Sequence, residues 1–66
     1  MFARERVQAE LRQRVSAGVA LREIVGWLRS TGASTSDAVA LLEEIGLNRT
    51  DAEHVIRAHP AWKPRS

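Results

Sequence analysis

Apolar residues recur along this chain in three sets of the same shape. Ile24, Trp27 and Leu28 form the first, Ala38, Leu41 and Leu42 the second, and Ala52, Val55 and Ile56 the third. Within each set the spacing is i, i+3, i+4, which puts the members on one face of an α-helix. Ile45 and His59 extend the second and third sets by another turn, so His59 occupies a place where the pattern asks for an apolar side chain. The glycines keep the same period of 14 residues, at positions 18, 32 and 46, and each is followed five residues later by an acid, Glu23, Asp37 or Asp51. Glycine suits the left-handed position just past a helix C-terminus, where a Cβ would crowd the backbone. Ser34 and Asn48 are good N-caps, and Asp37 and Asp51 then fall at the third helical position, where a carboxylate completes a reciprocal cap. Val19, Ala33 and Leu47 precede the cap positions, as a hydrophobic staple requires. The equivalent cap in the first copy is Ala20, which has no oxygen to offer. The pattern predicts helices near 20–30, 35–45 and 49–58, each presenting one apolar stripe to a shared centre.

Helix 20–30 carries a second apolar pair, Leu21 and Val25, which needs a cover. The N-terminal segment supplies a candidate, because Val7, Leu11 and Val15 follow one another at i+4 steps with Arg and Gln between them. Glu10 and Arg14 form an i, i+4 pair that supports a helix near 3–16. That stripe is narrow. It packs within the monomer, or it is a seam for a second chain. The predicted fold is therefore all-α: a basic N-terminal helix laid on a compact three-helix unit, about four helices in one domain spanning 1–66.

Length sharpens the question of partners. A chain of 66 residues buries only about 60% of its unfolded surface, so a core of its own is marginal. There is no Cys, hence no disulfide and no thiolate ligand. No apolar run approaches the ~18 residues that a membrane helix needs, and no signal-peptide pattern is present, so a cytoplasmic protein without a membrane role is expected.

Charge is divided along the chain. Residues 1–29 hold Arg4, Arg6, Arg12, Arg14, Arg22 and Arg29 against Glu5, Glu10 and Glu23, a balance of +3. Residues 30–59 hold Arg49 and Arg57 against Asp37, Glu43, Glu44, Asp51 and Glu53, a balance of −3, and the tail adds Lys63 and Arg65. A basic front half and an acidic back half suit either internal pairing or an electrostatic partner.

Catalytic chemistry finds little purchase. Asp51 and His54 share a helical face, but a zinc site needs three or four converging ligands. Glu43 and Glu44 are sequence neighbours and diverge on a helix, and there is no glycine-rich phosphate loop. No enzyme activity, metal, cofactor or small-molecule substrate is expected. In the tail HPAWKPRS, Pro60 ends the last helix, His59 reads as a partly buried capping residue, and Trp62 either folds back over the core or serves as an exposed anchor.

The segment from Leu28 to Trp62 resembles the helical hairpin of the ribosomal stalk protein's C-terminal domain. It looks closer still to small actinobacterial proteins related to that hairpin, through Leu28, Arg29, Gly32, Ser34, Ala38, Gly46, Leu47, Ala52, Val55, Pro60, Ala61 and Trp62. The resemblance implies a protein-docking surface, since the stalk hairpin receives translation factors. The run Gly32, Ser34, Ala38, Leu42, Asn48, Ala52, Ile56 also looks like a ubiquitin-associated-type three-helix domain, a class of protein-binding modules. A third likeness is to a helix-turn-helix, with Gly46 in the turn and Arg49, Thr50, Glu53, His54 and Arg57 facing a DNA groove. These point to a non-catalytic interaction module that engages a protein partner or a second copy of itself through Val7, Leu11, Val15, Leu21 and Val25, with Arg14 and Arg22 beside them. The alternative is a small nucleic-acid binder using Arg49, Thr50, His54 and Arg57. Residues 46–59 carry no net charge, and phosphate neutralisation dominates nucleic-acid affinity, which favours the protein-binding reading.

Overall fold

Ser34 and Asn48 do what their positions ask. In the computed structural model, which describes residues 2–63, the Ser34 side chain accepts from the Asp37 backbone N–H while the Asp37 carboxylate reaches back to the Ser34 N–H, a complete capping box. Asn48 Oδ1 accepts from the Asp51 N–H at 2.8 Å. The chain folds into four helices, α1 (Arg4–Ser16), α2 (Leu21–Ser30), α3 (Thr35–Glu44) and α4 (Arg49–Ala58), followed by a single 3-10 turn at Pro60–Trp62. No strand occurs among the described residues. These bounds agree with the periodicity to within a residue at each end. α2 starts at Leu21 from Ala20, which contributes no side-chain bond to the end of the helix.

The three repeated glycines all have positive φ, +78° at Gly18, +86° at Gly32 and +112° at Gly46. After α1 the Gly18 N–H donates to the Val15 carbonyl and the Val19 N–H to that of Arg14. After α3 the Gly46 and Leu47 N–H groups donate to Glu43 and Leu42 in the same pattern. Both ends are Schellman closures, which satisfy carbonyls that would otherwise lack partners.

The repeated apolar sets make the centre. Ile24 and Leu28 from α2, Ala38, Leu41 and Leu42 from α3, and Ala52 and Ile56 from α4 are all buried, with Trp27 and Val55 at the margin. α1 joins this core within the monomer through Val7 and Leu11. Its polar side meets α3, where the Arg4 guanidinium lies 3.2 Å from the Glu44 carboxylate and Gln8 donates to both oxygens of that group. Arg4 also lies 3.9 Å from Asp37. Part of the charge division seen in the sequence is thus internal pairing between a basic helix and an acidic one. Arg14 does not pair with the Glu10 carboxylate. It donates to the Glu10 backbone carbonyl and lays its guanidinium 3.9 Å above the Trp27 ring.

Candidate functional site

The residues read from the sequence as partner-binding divide sharply. Val7, Leu11 and Val25 are core side chains, with relative exposures of 4%, 1% and 1%. Their stripe closes the monomer, so these three are unavailable to a partner while the domain is folded. Among the described residues, Val15 and Leu21, on either side of the α1–α2 turn, are the exposed large apolar side chains, at 43% and 38%. The second apolar face of α2 is covered differently from the sequence expectation. Leu21 and Val25 look onto α4 and the C-terminal strap, residues 59–63, while α1 contacts α3 and Trp27. Helical periodicity defines a face but not the neighbour that covers it.

Between α2, α4 and the strap runs a groove of about 360 Å³. Leu21 and Val25 line it from α2, Val55 and Ala58 from α4, and Pro60 from the strap. The polar lining consists of Arg22, His54 and His59, with no carboxylate among them.

The strap wall is fixed by side chains that bond to the backbone of α2. His59 Nδ1 accepts from the Ala61 N–H at 3.1 Å, so Nε2 carries the proton and donates to the Arg22 carbonyl at 3.0 Å. Trp62 Nε1–H donates to the Val25 carbonyl at 2.8 Å, and the Arg29 guanidinium lies 5.4 Å from the centre of its ring. A carbonyl oxygen has two lone pairs, so α2 keeps its own ladder while accepting these bonds. Trp62 therefore folds back as a structural element, and His59 is the capping residue expected. Gly26 gives the approach its room. A Cβ there would lie 3.2 Å from His59 Cε1 and 3.3 Å from Nε2. Nothing local in the sequence distinguishes a mid-helix glycine kept for a close approach from one that is merely tolerated.

The residues of the nucleic-acid alternative do not form one reading surface. Arg49 and Arg57 both turn to Glu53, at 3.2 Å and 4.0 Å, beside a recess of about 320 Å³ shared with α3. His54 lies at the opposite edge of the outward face of α4, in the groove against α2. Thr50 is exposed and lines neither. Asp51 is engaged by Asn48 at its cap, and no three metal-ligating side chains converge among the described residues. No helix among them is long and apolar enough to cross a membrane.

In comparison with known proteins, no family model matches the chain, and no curated protein or solved structure is significantly similar to it.

Proposed function

We propose that this protein is a non-catalytic interaction module that docks a short helical segment of another protein in the groove between α2 and α4. The observation that carries the reading is the groove itself. The fold recruits α1 and Trp62 to close a small core, yet it leaves Leu21, Val55, Ala58 and Pro60 together on one open surface. Apolar side chains gathered in a concavity between two helices suit the apolar stripe of a third, a common mode of peptide recognition. The docking role implied by the resemblance of Leu28 to Trp62 to the stalk hairpin agrees with this. A second copy of the chain suits the groove less well, since two symmetry-related copies would bring Arg22 and His54 of one close to the same residues of the other.

A nucleic-acid role draws less support. The two arginines on the outward face of α4 share the Glu53 carboxylate, which offsets the charge that phosphate contact requires. The readings separate in an NMR titration of the isotope-labelled protein. A neutral amphipathic helical peptide with leucines at i, i+4 should shift the amides of Leu21, Val25, Val55 and Ala58. A short DNA duplex at low salt should leave residues 47–57 in place. Salt-sensitive shifts centred on 47–57 with duplex, and none with peptide, would replace docking by a helix-turn-helix function.

A further inference from the structure

Five of the nine Arg and Lys side chains among the described residues are engaged, while Arg6, Arg12, Arg22 and Lys63 are not. Arg4 pairs with Asp37 and Glu44, and Arg49 and Arg57 flank Glu53. Arg14 and Arg29 lie over Trp27 and Trp62. Arg22 takes part in no ion pair and no ring contact among the described residues, and it is exposed at the lip of the α2–α4 groove. Across the groove, His54 is also exposed, and its ring forms no hydrogen bond with another described residue. The N-terminus of α2 opens at the same lip without a side-chain cap, and Glu23 in its first turn offsets the positive end of the dipole, so the charge of the lip rests on Arg22.

From this juxtaposition of an apolar floor and a lip with cationic and imidazole groups but no carboxylate, we infer that the docked segment is acidic. Its aliphatic side chains pack on Leu21, Val55 and Ala58, and one or more Asp or Glu side chains beside them meet Arg22 and His54. The inference rests on the docking reading above and names the chemistry of the partner. The floor supplies contact area that any apolar helix could use. The lip supplies the discrimination, because a lysine placed there would meet Arg22 with like charge, whereas a carboxylate would gain a partner in a partly desolvated edge. A polyanion such as DNA would satisfy the lip but has no aliphatic stripe for the floor.

The test uses one helix-forming peptide with leucines at i, i+4, made with Glu, Gln or Lys at the positions beside them. Binding is followed by amide shifts and by fluorescence anisotropy at low and moderate salt. The Glu peptide should bind about tenfold more tightly than the Lys peptide, with a gap that narrows as salt is raised. Shifts should centre on Leu21, Arg22, Val55 and Ala58. Arg22→Glu should reverse the order of the Glu and Lys peptides, and Arg22→Gln should bring them close together. Both changes leave the Arg22 carbonyl in place for His59, and the Trp62 indole N–H resonance reports whether the strap has stayed. Equal binding of all three peptides in the groove would overturn the acidic partner and leave docking intact. Absence of groove shifts with every peptide would overturn docking and this inference with it. Shifts confined to Arg6 and Arg12 with the Glu peptide would show diffuse attraction to α1 and overturn the role of the lip.

Discussion

Two helix–helix seams of this molecule are built to opposite specifications. Between α1 and α3, Val7 and Leu11 are buried, and the polar margin is closed by Arg4 and Gln8 on Glu44. Between α2 and α4, Leu21 and Ala58 stay exposed and Arg22 has no acidic partner at the margin. The first seam has both signs of charge over buried Val7 and Leu11; the second is lined by Arg22 and two histidines over a more open interior. A seam whose apolar and electrostatic demands are both met within the chain contributes stability. A seam that leaves both unmet is where a second molecule can contribute. The N-terminal stripe, the more conspicuous feature in the sequence, belongs to the first kind.

The comparison breaks most visibly at Leu11. Its truncation to Ala removes a side chain that is 1% exposed and should cost about 3 kcal/mol, a large share of the stability of so small a domain. Denaturant unfolding followed by tryptophan fluorescence measures it. The caps come next. Asn48→Ala removes the acceptor of the Asp51 N–H and should cost about 1 kcal/mol, and Ser34→Ala should cost a similar amount.

Gly26→Ala tests the wall of the open seam. Alanine would favour the helix by about 1 kcal/mol. The new Cβ meets the His59 ring, which is tied to the Ala61 N–H on one side and the Arg22 carbonyl on the other and cannot easily move aside. The expected outcome is a net loss of about 1 kcal/mol, with a displaced Trp62 indole N–H resonance as the sign of a shifted strap. A gain in stability would mean that the ring yields. The smallest stability effect is expected at the polar margin of the closed seam. Arg4 and Glu44 are both more than a third exposed, so Glu44→Gln should cost about 0.5 kcal/mol or less, and the difference should shrink in high salt.

Much of the fold was legible because it follows local rules. The left-handed glycines at 18, 32 and 46, the oxygens of Ser34 and Asn48, and the i, i+3, i+4 sets each act over a few residues, and each appears in the structure where the pattern placed it. The site was legible only in part. Leu21 and Arg22 lie on the surface, whereas Val7, Leu11 and Val25, grouped with them in the sequence, are buried, because an apolar stripe looks the same whether a neighbour in the same chain covers it or not. On the α4 side of the groove, Val55 was read as core and His54 as part of a DNA-facing surface, and Ala58 carried no reading. That assignment depends on how two helices far apart in sequence lie against each other, and on a strap whose anchoring carbonyls, those of Arg22 and Val25, carry no signal in residue identity.

The most direct measurement sets stability and binding side by side in Leu21→Ala. Leu21 is 38% exposed at the start of α2, so melting should stay close to that of the parent protein, in contrast to Leu11→Ala, while affinity for the Glu-flanked peptide should fall by about tenfold. Unchanged affinity in a stably folded Leu21→Ala protein, or a loss of stability as large as that of Leu11→Ala, would contradict the division between a seam that holds the fold and a groove that receives a partner.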